Sequence, residues 1–248
     1  MIGLLAAERR KLTSVRTIWA LTLIGWAFAG LTASASVFGP TADQFRGEPA
    51  QIAAVIDGIG QSSLFVLVVG LLVMTTEFRH ATAGRTLLVT PSRTRMLAAK
   101  LIAGVGYALV LVAGGIVVVA VVLGPTAVMH GARLQLDAEV AAAVRDTVAG
   151  LGLTALLGVA VGALVRSQVV AITVSLAWVF VLENLVAFLR PGVGRYLPFQ
   201  ALQGLFVPAG TEMGPIQVLD PLPALATFLA YVVVALGLSL VLLTRRDI

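Results

Sequence analysis

Six apolar runs divide the chain, at about 18 to 38, 59 to 76, 101 to 123, 147 to 165, 169 to 189 and 224 to 243. At about 1.5 Å per residue each makes roughly 27 to 35 Å of helix, matching a hydrocarbon core of about 30 Å. A lone spanning strand would leave its backbone unpaired in lipid, so all six are expected to be helices. Gly158 and Gly162 form a small-xxx-small pair in the fourth, expected to serve packing within one subunit rather than a dimer seam. The segment before the first run has a narrow apolar arc, Leu4, Leu5, Leu12 and Val15, interrupted by Glu8, so its helix is only modestly amphipathic. Residues 190–223 are rich in Pro and Gly, and pieces such as "LPFQALQGLF" are too short to span.

The longest polar stretch is "EFRHATAGRTLLVTPSRTRMLAAK", residues 77–100. Thr90-Pro91 reads as a helix start, with a threonine N-cap and a proline at the first helical position, where its missing N–H costs nothing. The third spanning helix should therefore begin near Pro91. Upstream, 81–89 can form a short helix presenting Leu87, Leu88 and Val89 beside Arg85. Such a helix could lie on lipid or plug into a soluble partner, and the residues alone give little preference.

Charge orients the pattern. With the N-terminus in the cytoplasm, six crossings return the C-terminus there, and twelve Lys and Arg residues fall inside against five outside. That is a clear positive-inside bias and makes residues 77–100 cytoplasmic. Ala33-Ser34-Ala35 resembles a signal-peptidase site, but the apolar run and its leader are too long for cleavage to be favoured. Composition agrees with a polytopic membrane protein: 59% of residues are hydrophobic, 12% are charged, and mean hydropathy is +1.01. The net charge of +5 is not gathered into an aromatic-interleaved patch, so it fits anionic lipid rather than nucleic acid. Cysteine is absent, which excludes disulfides and thiolate chemistry.

Catalytic motifs are missing residue by residue. A P-loop needs Gly before its Lys, but Lys11 follows Arg10 and Lys100 follows Ala99. His80 and His130 are followed by Ala81 and Gly131, which rules out HExxH, and no serine sits in G-x-S-x-G. The chain is expected not to be an enzyme, and no metal site is expected.

"LLAAERRKLTSVRTIWALTL" and "EFRHATAGRTLLVTPSRTRMLAAKL", with Glu77, Gly84-Arg85, Thr90-Pro91, Arg93 and Lys100, resemble the membrane subunit of type-2 ABC exporters. Within that family the chain is most similar to small stand-alone permeases of actinobacteria, and the six-helix layout extends the resemblance over the whole length. It implies an all-α fold forming a single transmembrane domain, 1–248, in a bacterial plasma membrane. It also implies an N-terminal elbow helix, a coupling helix between helices 2 and 3, and short re-entrant or interfacial helices before helix 6. The coupling region, Glu77, Arg79, Thr82, Gly84, Arg85, Leu87, Leu88, Thr90, Pro91 and Arg93, would dock into a separate ATPase that binds ATP and Mg. The resemblance further implies a homodimer, or a heterodimer with a related permease, moved by two such motors. The low polar content of the helices favours a hydrophobic or amphipathic cargo: a drug, lipid or peptide.

Glu183 is the only carboxylate well inside a span drawn from these runs, and with Trp178 it is the candidate for a substrate path. Its other reading is a boundary residue that faces the headgroups or pairs with Arg190 or Arg195, and this reading is favoured. A gradient-driven carrier usually places several ionisable groups inside its spans, so it is a weaker alternative. A membrane anchor or scaffold that recruits a cytoplasmic protein is the other. The orientation is testable because any introduced cysteine is unique. Ser92→Cys should resist a membrane-impermeant thiol reagent in intact cells while Ala209→Cys reacts, and the opposite labelling would invert the topology.

Overall fold

Each apolar run is helical, two of them with an interruption, and most of the helical stretches extend beyond the run that marks them. The computed structural model describes residues 2–39, 45–79, 92–129, 134–208 and 211–245. Helix α1, Ile2–Ser14, gives way at the extended residue Val15 to α2, Arg16–Phe38. The second span is made of α3, Pro49–Gly60, and α4, Ser63–Arg79, with a turn at Gln61 and Ser62 between them. Helices α5, Arg93–Met129, and α6, Ala138–Val165, supply the third and fourth. The fifth is composite: α7, Gln168–Ala177, a π turn over Trp178–Leu182, and α8, Glu183–Leu189. Two short helices follow, α9, Pro191–Gly194, and α10, Pro198–Gln203. An antiparallel pair of two-residue strands, β1 at Glu212–Met213 and β2 at Ile216–Gln217, precedes α11, Pro221–Arg245. Six of these stretches are long and apolar enough to cross a membrane, so the chain is an all-α, multi-pass membrane protein.

Two spans start about ten residues before their apolar runs, and both of these starts are capped. The second begins at Pro49 rather than 59, where Glu48 and Gln51 form a capping box and Pro49 takes the first helical position. The fourth begins at Ala138 rather than 147, because the Asp137 side chain accepts from the amides of Glu139 (2.9 Å) and Val140 (3.4 Å). These extensions bring Asp57 and Asp146 into the candidate spans. Glu183 is therefore not the only carboxylate within the candidate spans. The start expected near Pro91 falls just outside the described residues, and α5 is seen from Arg93.

Helix α6 is central, packing against α3, α4, α5 and α11. Its closest approach is to α4, where a Cβ added to Gly158 would come within 2.5 Å of the Leu67 carbonyl. One added to Gly70 would come within 2.7 Å of the Ala155 carbonyl, so the two backbones touch with nothing between them. Gly162, one turn on, meets Leu71 in the same way. The Gly158 and Gly162 pair thus serves packing inside the subunit, as expected.

With six spans, the start of α2, the end of α4, the start of α5, the α6–α7 turn and the end of α11 share one end of the bundle. This basic end carries Arg9, Arg10, Arg16, Arg79, Arg93, Arg95, Arg166 and Arg245. The far end carries the two short helices and the strand pair, with Leu202, Leu205 and Phe206 buried against the core.

Candidate functional site

At the basic end, four charges from three helices meet, three of them buried and the fourth, Lys11, half exposed. Lys100 of α5 has no solvent exposure. Its ammonium lies 2.9 Å from Glu77 Oε1 and 3.3 Å from Glu8 Oε1, and donates to the Val73 carbonyl at 2.9 Å. Lys11 closes the cluster from α1, 2.6 Å from Glu77 and 2.7 Å from Glu8. Both carboxylates are buried, and the cluster contains both lysines of the chain. The charges sum to zero, which is what membrane depth demands of groups that lack water. Burial alone would lower the Lys11 pKa, but the hydrogen bonds and attraction of Glu77 and Glu8 outweigh it and hold the pKa above the usual lysine value. A raised lysine pKa gives stability that is complete below the ordinary value and is lost only as pH rises through the raised one. The Lys11 contribution is therefore complete at neutral pH.

Its placement matters because Glu77 and Lys100 flank the basic linker, and α1 is clamped to both. Glu77 is turned inward, not toward a docking surface. Of the other linker residues singled out from sequence, Arg79 donates to Gln168 Oε1 (3.3 Å) and Arg93 donates to the Leu243 carbonyl (2.6 Å). These bonds tie the ends of α4 and α5 to α7 and α11. Arg166, the only described non-glycine residue with positive φ (56°), ends α6 and stacks over the Phe78 ring at 5.5 Å. Thr82, Gly84, Arg85, Leu87, Leu88, Thr90 and Pro91 lie outside the described residues.

The far end holds a groove of about 770 Å³ between two helix irregularities, the turn at Gln61 and the π turn at Trp178–Leu182. Phe28, Phe65, Phe180, Phe188 and Phe199 give it an apolar lining, and Gln61, Asn184, Gln200 and Gln203 add carboxamides. Asn184 also stabilises the π turn. Its amide donates to the Val179 (3.2 Å) and Phe180 (3.0 Å) carbonyls within that turn.

Glu183 also borders this groove, although only 1% of it is exposed. The π turn sets residues five apart on one face, and Trp178 Nε1 donates to Glu183 at 2.8 Å. Its other donors are the backbone amides of Phe199 (3.1 Å) and Gln200 (3.0 Å), the first free N–H groups of α10 after Pro198. The carboxylate thus caps a short helix from another element, satisfying its orphan donors and opposing its dipole. The favoured sequence reading, a headgroup-facing residue or an Arg190 or Arg195 pair, is corrected: Arg195 instead stacks on Tyr196. Trp178 faces a separate, smaller groove with Leu157, Val161 and Pro198.

No protein-family model matches this chain, and a search of curated proteins returns no match either. The site is therefore read from its own geometry. Sequence reasoning missed the Glu8–Lys100 pair, because its members lie 92 positions apart. The one available signal was Glu8 itself, a lone acid interrupting an apolar arc.

Two outcomes follow for stability in detergent. Lys100→Met leaves two buried carboxylates facing one ammonium and should cost about 3 to 5 kcal/mol. Adding Glu8→Gln restores the charge balance and should recover part of the loss, as read by thermal unfolding. A single variant as stable as the native chain would rule the cluster out as a structural element. Glu183→Gln presents an NH₂ group to backbone donors and should cost about 1 to 3 kcal/mol. Neutralising Arg190 or Arg195 as well should not restore it, and recovery there would contradict the cap.

Proposed function

We propose that this chain is the transmembrane subunit of a type-2 ABC exporter in a bacterial plasma membrane, with both termini in the cytoplasm. The observation that carries the reading is the buried cluster at the basic end. It joins α1, in the place of an elbow helix, to both flanks of the linker that a motor would push. A force applied between residues 80 and 91 would reach α4, α5 and α1 together, as a coupling element requires.

The far-end groove supports the rest. It opens between α2 and the α7–α8 stretch, the least buried span at 11% of its apolar window. These exposed faces, with Leu23, Phe28, Val181 and Phe188, would meet a second copy or a related permease, placing the groove at the subunit boundary. Its phenylalanines and carboxamides suit an amphipathic cargo. Glu183, fully engaged in capping, would shape the path without presenting a free charge. ATP and Mg would be bound by the partner.

One observation favours a second reading. Asp57 Oδ1 is buried without a hydrogen-bond partner among the described residues, in the field of Asp146 and Glu139. A gradient-driven carrier would use such a group. The two readings part at Leu88→Asp, with the chain co-expressed beside a P-loop ATPase from the neighbouring reading frame. A carboxylate forced into an apolar cleft costs several kcal/mol, against about 8 kcal/mol for a micromolar contact. The variant should insert normally yet release the ATPase in pull-downs and lose transport. Transport that persists without the ATPase and collapses with a protonophore would favour the carrier. ATPase capture with no transport by the native chain would favour a scaffold.

A further inference from the structure

Helix α1 has two working faces. Glu8 and Lys11 point into the cluster, while Leu5, Arg9 and Leu12, spaced four and three apart, line a groove along the adjacent face. The groove holds about 370 Å³ between α1, α2 and α5. Its walls are Leu5, Leu12, Trp19, Ile102 and Val110, and its floor opens over Gly106, where an added Cβ would meet nothing within 4 Å. The polar atoms along the walls are already engaged. Thr22 bonds the Ile18 carbonyl (2.8 Å) and the Tyr107 hydroxyl (3.2 Å), and the Trp19 indole donates to the Thr13 carbonyl (2.8 Å). What remains to be met there is carbon surface.

The rim is different. Arg9 borders the groove, and its guanidinium has no ion pair among the described residues. Arg10 and Arg16 add charge in the same stretch of sequence, and its only acid, Glu8, is engaged in the cluster. A largely apolar groove bordered by Arg9 at the basic end of the bundle is complementary to a lipid carrying negative charge.

We propose that this groove binds one anionic phospholipid, its acyl chain lying over Gly106 and its headgroup phosphate held by Arg9. The lipid would pack on the same helix that carries half of the buried cluster, so occupancy would hold α1 against α2 and α5. The site does not depend on transport, and its test uses the chain alone.

The probe is phosphatidylglycerol with brominated acyl chains, compared with brominated phosphatidylcholine, titrated into the purified full chain in detergent. Trp19 lines the groove, and its share of the fluorescence is the difference between the native chain and Trp19→Phe. The Trp19 signal should be quenched at a lower mole fraction of phosphatidylglycerol than of phosphatidylcholine. Arg9→Gln should cut that preference about fivefold while leaving quenching by phosphatidylcholine unchanged. Gly106→Leu, which fills the open floor, should remove quenching by both lipids without altering helicity. Equal quenching by the two lipids in the native chain would leave only annular contact and overturn the proposal. So would a Gly106→Leu chain that quenches normally but changes its oligomeric state, since a second copy would then cover the groove.

Discussion

Lys100 enters the bundle with no water to solvate it, and the fold at the basic end is organised around that ammonium. An unpaired charge at membrane depth is expensive, so the lysine has to bring its counter-ions with it. Glu77 arrives from α4, Glu8 from α1, and Val73 lends a carbonyl. Two carboxylates around one ammonium would leave an excess negative charge, and Lys11 cancels it. Such a cluster need not add net stability over a well-packed apolar equivalent. What it adds is position. Helix α1 is a short, weakly amphipathic segment that lipid alone would hold at any rotation about its axis. With Glu8 and Lys11 held in the cluster, the adjacent face carrying Leu5, Arg9 and Leu12 is set over the groove between α2 and α5.

The same constraint governs the far end with different means. A π turn and a broken helix each free backbone groups, and within a bilayer those groups must be paired by the protein. Asn184 takes the carbonyls of the π turn, and Glu183 takes the first amides of α10. At the break in the second span, Gln61 and Ser62 donate to carbonyls three residues back, tightening the turn. Ser62 also reaches the Gly25 carbonyl at 3.4 Å, and the Gln61 carboxamide meets Gln203 at 3.2 Å. Irregular backbone is thereby confined to the walls of the groove, where a ligand can approach side chains that straight helices would hold elsewhere.

These two ends were not equally legible in the sequence. The six spans were, because an apolar run of bilayer length has no other stable form in lipid. Their starts were not, since Asp57, Arg145 and Asp146 interrupt the apolar windows. Yet the Glu48-Pro49 and Asp137 caps were present to be read. Glu8 was visible as an anomaly, but its resolution lay in α4 and α5, and no local pattern connects residues 69 or 92 positions apart. Glu183 was singled out for its depth and given the wrong partners. A short helix turning back into the bundle supplies backbone donors, and these carry no sequence signature. The π turn has none either: "WVFVLEN" reads as ordinary helix until its hydrogen bonds are seen.

The two ends bear on function through stiffness. Under the exporter proposal, work enters at the linker, whose flanks are Glu77 and Lys100. Pulling either flank away from the cluster would strand a buried charge, at about 3 to 5 kcal/mol. That is a large share of the roughly 5 to 15 kcal/mol by which a folded domain is stable at all. Motion that keeps the cluster intact is therefore favoured over motion that splits it, and α1, α4 and α5 must move as one body. The α4–α6 seam extends that body inward, since Gly70 and Gly158 leave no gap for sliding. The fifth span is tied to it by fewer contacts and carries a π turn at mid-length. Under that proposal relative movement would concentrate at α7–α8, the wall of the far-end groove, and a push at the basic end would reshape the groove without breaking the buried ion pairs.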